Sequence, residues 1–270
     1  MGEEQVLGWT KVVNALLGKP VLALLGLLHI HADAEYPISN ALAMELLVFL
    51  IGVLFFLWLK GRISAERPGA TQQVMEFVIT NPMGVGVKDL VDDIVGHGAE
   101  RHIPILGTIG IFILMSNMLA LVPGFMSPTA ERTVPLGCAI IVFLYYNRFG
   151  IGKHGALGYA KTLMGPVPAI SPIMVIVETI SHFARLLSLT VRLWANMMVS
   201  ELIYVSFLGL TIGLFAALSH WNPLGYISAV VPIGIPLILA LFHVFEAVLQ
   251  AFIFTILSIV YLGLAVAEEH

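Results

Sequence analysis

The stretch Glu178-Thr-Ile-Ser-His182-Phe-Ala-Arg185-Leu-Leu-Ser-Leu-Thr-Val-Arg192-Leu-Trp-Ala-Asn196-Met-Met-Val-Ser-Glu201 sets two arginines, two glutamates and a histidine in an otherwise mainly apolar run. At about 100° per residue, Glu178, His182, Arg185, Arg192 and Asn196 fall within a helical stripe of about 80°. Glu201, nine residues past Arg192, points to roughly the opposite face. The run lies inside a longer periodic segment, 173–218, which as one helix would be about 69 Å long. A hydrocarbon core is about 30 Å thick, so such a helix tilts strongly, bends or lies partly along the interface.

The whole chain points to the same solvent. Of 270 residues, 59% are hydrophobic and 11% charged, and the mean hydropathy is +0.95. A soluble chain carries about 25% charged residues, so too few are present to clothe a water-facing surface. That excludes a cytosolic enzyme, a disordered chain and a nucleic-acid binder. The net charge of −4 offers no basic patch for phosphates. Cys138, the single cysteine, rules out an internal disulfide and a cysteine-based metal site.

The expected fold is an all-α polytopic membrane protein with about five transmembrane helices. The spans are 38–59, 103–122, 134–150, 173–218 and 226–267, within a membrane domain 38–267. The last two are long and strongly tilted or kinked, with Pro232, Gly234 and Pro236 as kink or entry points. Residues 1–37 form an extracytoplasmic or interfacial segment, in which the apolar stretch 21–30 is too short to cross; residues 268–270 form a cytoplasmic tail. Met1-Gly2-Glu3-Glu4 is acidic where a secretory signal would be basic. Lys60, Arg62, Arg67, Lys88 and Arg101 crowd one loop, and Arg148, Lys153 and Lys161 another. By the positive-inside rule these face the cytoplasm, with the N-terminus outside and the C-terminus inside. Five spans do not divide into equal inverted halves, which weakens a secondary-transporter reading.

In the last span His243, Glu246 and Gln250 stand at i, i+3 and i+7 and share a face. A charge at the bilayer centre costs about 2.5–3.5 kcal/mol even on gentle scales, so these groups are hard to explain as decoration. His182 and Arg185 can also be read as side chains reaching back to water. Arg192, apolar on both sides, fits that reading poorly. Glu201, His243 and Gln250 have a purely structural reading as an interhelical polar cluster, against a functional one as a proton path. His29, His31, Asp33 and Glu35 have metal-ligand types but no partner at membrane depth, and read as a solvated outer segment.

The stretch Arg192-Leu-Trp-Ala-Asn196-Met, with Glu201 following, resembles the signature of subunit a of F-type ATP synthases, the stationary subunit beside the rotating c-ring. Family members show Arg-Leu-Phe-Gly-Asn-Met and then a carboxylate nine residues after the arginine. Glu178 stands where bacterial members carry a glutamate. Phe242-His243 and Leu249-Gln250-Ala251-Phe252-Ile253-Phe254 are similar to the last-helix motif. Asn117-Met-Leu-Ala-Leu-Val-Pro123-Gly124 is similar to the turn after the second span, and Pro128-Thr129-Ala130 to the opening of the next. The likeness covers about residues 38–267. Trp194-Ala195 departs from Phe-Gly, Glu131-Arg132-Thr133-Val134-Pro135 departs from Asp-Val-Asn-Val-Thr, and Glu246 is not part of the bacterial motif.

The resemblance implies a proton-channel subunit with two offset half-channels that couple translocation to c-ring rotation and to ATP synthesis or hydrolysis. Arg192 would be the charge barrier and the partner of the rotor carboxylate. Asn196, Glu201, His243, Glu246 and Gln250 would serve the outer half-channel, Glu246 being placed by its face alone; Glu178 and His182 would serve the inner one. The implied partners are the c-subunit ring, the peripheral-stalk b subunits and the rest of the complex, in a bacterial inner membrane, with no cofactor or metal. The subunit would not be an enzyme by itself, and proton against sodium rests with the rotor chain. The rivals are a membrane-embedded hydrolase using Glu178, His182 and His243, and a stand-alone transporter. The hydrolase lacks HExxH and Gly-x-Ser-x-Gly motifs, and no phosphate-binding Gly-x4-Gly-Lys loop is present.

Overall fold

A computed structural model describes residues 6–27, 35–64, 67–80, 86–96, 99–122, 124–162, 164, 171–219 and 230–267. His29, His31 and Asp33, Pro123, the prolines of the connector at 166 and 168, and the tail 268–270 lie outside them. The described residues form eight α-helices: α1 Gly8–Leu27, α2 Asn40–Lys60, α3 Ala70–Ile79, α4 Val87–Val95, α5 Ile103–Leu119, α6 Thr133–Thr162, α7 Ser171–Ser219 and α8 Val230–Val266. Short 3-10 turns cover Ala99–His102 and Pro128–Ala130. No strand occurs among the described residues.

Six helices are long and apolar enough to cross a membrane. Five of them, α2 and α5 to α8, overlap the five expected spans. The sixth is α1. Residues 21–27 of the stretch 21–30, too short when taken alone, form the C-terminal part of a 20-residue helix, because Trp9, Val12, Val13, Leu16 and Leu17 extend the apolar run on its N-terminal side. α7 is a single helix of 49 residues, about 74 Å long against a hydrocarbon core of about 30 Å.

The chain divides into two compact units. The first comprises Met1–Leu54, Leu114–Glu131 and Asn196–Val248, the second Phe55–Ile113, Arg132–Ala195 and Leu249–His270. Within the first, α1 is clamped to the start of α2. The Asn14 amide donates to the Ile38 carbonyl and accepts the Ile38 N–H, both at 3.0 Å. The Trp9 indole donates to the Ala43 carbonyl at 2.9 Å. Val13, Ile38 and Ala43 form the buried core of this corner, with Trp9 and Val21 packed on it.

Within the second unit, α6 is broken at Gly155, whose φ of 72° lies in the left-handed region that a side chain resists. The break turns Tyr159 back against Gly150, where an added Cβ would run into the Tyr159 ring and stand 3.0 Å from the Ala265 carbonyl. Lys153 donates from Nζ to the Val266 carbonyl at 2.8 Å, satisfying a group at the end of α8 that no longer has a helical partner. The amphipathic α4 rests on Gly263 of α8, where a Cβ would meet Ile94 Cγ2 at 2.6 Å and the Ile94 carbonyl oxygen at 2.9 Å. His102 is buried at the head of α5. Arg101 Nε donates to its Nε2 at 3.1 Å, so Nδ1 carries the proton toward the Tyr145 hydroxyl at 2.8 Å.

Candidate functional site

α5 ends in Ser116 and Asn117, and the turn after it supplies Ser127 and Thr129; all four are fully buried. Polar side chains buried so completely must find partners, and these find one another. Ser127 Oγ lies 3.0 Å from the Ser116 carbonyl and 2.6 Å from Thr129 Oγ1, and Thr129 donates to Asn117 Oδ1. Gly124, with φ of 88°, supplies the left-handed residue of the turn that brings 127–129 back to 116–117. Ser116 Oγ is buried with no hydrogen-bond partner among the described residues.

α7 and α8 close this cluster in the first unit. Glu201 Oε2 accepts the Ser127 N–H at 3.1 Å. His243, 1% exposed, holds the Asn117 carbonyl from Nε2 at 3.1 Å and meets Ser200 Oγ from Nδ1 at 2.8 Å. Asn117 Nδ2 donates to the Ala247 carbonyl at 3.4 Å, and the Tyr204 ring lies 6.2 Å from the imidazole. Glu201 and His243 thus converge on the 116–129 turn without bonding each other.

The second unit holds a different arrangement. Glu178 accepts from Arg185 Nη2 at 3.0 Å and lies 3.8 Å from His182 Nε2, one turn away on the same helix. His182 Nδ1 meets the buried Tyr146 hydroxyl at 3.3 Å. The Arg185 guanidinium lies 5.8 Å from the Tyr261 ring centroid. Tyr159 sets its ring edge-on to His182 and donates to Asn147 Oδ1 at 3.0 Å. The ionic side chains stay partly accessible: Glu178 is 31% exposed, Arg185 25%.

Arg192 belongs to neither cluster. It is exposed, as are Leu187 and Val191 of the same helix. Among the described residues its one hydrogen bond is a long one, 3.5 Å to Ser188 Oγ, and no carboxylate there pairs with it. Asn196 and Glu246 are half-buried and Gln250 buried, none of them hydrogen-bonded among the described residues. The stripe expected on α7 therefore divides: Glu178, His182 and Arg185 meet, while Arg192 stands alone.

Sequence reasoning missed Ser127, Thr129 and Ser200 in the first cluster and Tyr146, Asn147, Tyr159 and Tyr261 in the second. Ser200 had a signal, since it adjoins Glu201. The tyrosines had none: a tyrosine in a membrane helix is ordinarily an interfacial anchor.

Residues 42–263 match the family model described as ATP synthase A chain. The chain is 37% identical over 265 residues to ATP synthase subunit a of Koribacter versatilis, covering 98% of both chains. It is 38% identical over 248 residues to ATP synthase subunit a of Solibacter usitatus, covering 92% of this chain and 95% of that one. With ATP synthase subunit a 3 of Pelobacter propionicus it shares 34% identity over 233 residues, covering 86% and 90%.

Proposed function

The chain belongs to the ATP synthase A chain family, and we propose that it forms the two half-channels through which ions reach and leave a rotating ring of c subunits. The observation that carries this reading is Arg192. A guanidinium is effectively never deprotonated, so it relays no proton; it is a fixed positive charge on an exposed stretch of helix. With no carboxylate among the described residues to pair with, it is open to one from a neighbour, which the rotor carboxylate supplies. Set between two aqueous routes, Arg192 repels a passing cation and attracts the ionised rotor group. That group must lose its proton into one route and regain one from the other, and turning the ring is what separates the two events.

The outer route takes Glu201 and His243 with Asn196, Glu246 and Gln250; the inner takes Glu178 and His182. The buried Tyr146 hydroxyl on His182 extends the inner chain of protonatable groups. The basic loops favour an N-terminus outside and a C-terminus in the cytoplasm, which five crossings by α2 and α5 to α8 satisfy with α1 lying along the interface, and the peripheral-stalk b subunits hold the chain still. Each proton crossing 100 mV delivers about 2.3 kcal/mol, and a leak past Arg192 dissipates it.

The test is Arg192→Ala in the assembled complex. ATP-driven proton pumping should vanish while the subunit still copurifies with the ring; full pumping in that variant would overturn the reading. The stand-alone transporter makes the opposite forecast, that the chain translocates its substrate when purified alone.

A further inference from the structure

Building on the outer route proposed above, we infer that protons enter and leave His243 only through the Ser200 hydroxyl, so that His243 holds each transiting proton on Nδ1 and returns it by the same hydroxyl without passing it across the imidazole. The constraint lies at Nε2. Its partner is the Asn117 carbonyl at 3.1 Å, an acceptor with no proton to give, so Nε2 carries the hydrogen in the neutral imidazole. Both residues are buried, Asn117 at 0% and His243 at 1% exposure. Passing a proton out through Nε2 would break this bond and strand a main-chain carbonyl away from water, which is costly. That leaves Nδ1, whose one partner among the described residues is Ser200 Oγ at 2.8 Å.

Ser200 is set apart by what it does not do. A hydroxyl on a membrane helix commonly donates to the carbonyl four residues earlier, and in this chain Ser181, Thr190, Thr255, Ser258 and Thr108 all do so, at 2.6–2.9 Å. Ser200 has no such bond; its single hydrogen bond among the described residues is to His243. The hydroxyl suits the task because it both donates and accepts. With His243 neutral, Oγ–H donates to Nδ1. An arriving proton binds the free lone pair of Oγ as the original Oγ–H bond breaks and Nδ1–H forms. Serine ends neutral with a new proton, and the imidazolium donates from Nδ1 back to Oγ. Release is the same step reversed. The anchor from Nε2 to Asn117 is kept throughout.

The groups around the imidazole are consistent with one point of entry. α5 presents the Asn117 carbonyl and α7 presents Ser200 and the Tyr204 ring. Glu201, next in the chain, is bonded to the Ser127 N–H, and Glu246 lies one turn along α8, half-buried. Among the described residues neither carboxylate is hydrogen-bonded to Nδ1.

Proton flux through the assembled complex in membrane vesicles tests this with Ser200→Ala, Ser200→Val and Ser200→Thr, assembly being checked by copurification with the ring. Ala and Val should lower flux by about a hundred-fold, the lower range for losing a positioned proton-transfer group. Thr keeps the hydroxyl, nearly matches Val in shape, and should run near the wild-type rate. Any inflection in flux against pH that His243→Leu removes should also disappear in Ala and Val. In a His243→Leu background, Ser200→Ala should cost nothing more. Equal flux in Thr and Val, or additive losses in the double variant, overturns the role of Ser200. Wild-type flux in both His243→Leu and Glu201→Leu overturns instead the outer route on which it rests.

Discussion

Around His243 the polar groups are held by neutral hydrogen bonds, many to main-chain atoms, and Ser116, Asn117, Ser127 and Thr129 are fully buried. Around Glu178 the same need is met by charge: a carboxylate flanked by a guanidinium and an imidazole, with the ionic side chains a quarter to a third exposed. The difference follows from what surrounds each. Taking an ion pair fully out of water costs several kcal/mol per ion and is repaid only by excellent geometry, so a fully enclosed cluster is better built from hydroxyls, amides and carbonyls. Where side chains still reach a polar medium the desolvation is partial and a charge pair is tolerable. The first arrangement is held by many hydrogen bonds, Ser116 Oγ alone being left without one among the described residues; the second keeps its charged side chains in partial contact with a polar medium.

This contrast can be broken in several ways. The largest effect is expected from Asn117→Leu, which takes the acceptor from Thr129 and the donor from the Ala247 carbonyl. Each orphaned buried group costs about 1–3 kcal/mol, so the thermal midpoint of the detergent-solubilised complex should fall clearly. An unchanged midpoint would show that the first cluster is not the hydrogen-bonded network described. Next comes Gly155→Ala. A left-handed residue with a Cβ costs about 1–2 kcal/mol, and the loss should extend to the placement of Tyr159, reported by its fluorescence against a Tyr159→Phe control. The smallest stability effect belongs to Glu178→Gln: partly exposed pairs are worth about 0–1 kcal/mol, so the midpoint should barely move while proton flux drops. A loss matching that of Asn117→Leu would mean that the two regions are built alike after all. Salt sharpens the same point, since raising ionic strength should weaken the Glu178–Arg185 pair and leave the His243 cluster untouched.

The helical, membrane-spanning character was legible because hydropathy is local and nearly every span carries it. So was the meeting of Glu178 with His182 and Arg185, since one and two helical turns are spacings within a single element. The Glu201 cluster was only half legible. The carboxylate and His243 could be picked out as ionisable groups in apolar runs, but Ser127 lies 74 residues from Glu201, and no periodicity connects a turn to a distant helix. α1 is longer than the stretch 21–30 alone suggested, because apolar residues ahead of that stretch extend the helix. Tyr159 depended on the break at Gly155, and a glycine in sequence does not announce which of several glycines will take a positive φ.

The His243 cluster also has a history in time. Asn117 and His243 are 126 residues apart, and at about 5–20 residues per second the ribosome needs roughly 6–25 s to cover that distance. The 116–129 turn holds within itself the partners of the Ser127 and Thr129 hydroxyls, whereas the Asn117 carbonyl and the Ser127 N–H find theirs only on α8 and α7. α8 therefore closes a polar site whose first members are synthesised 126 residues earlier, and the nascent subunit has to carry that site unfinished until α8 arrives.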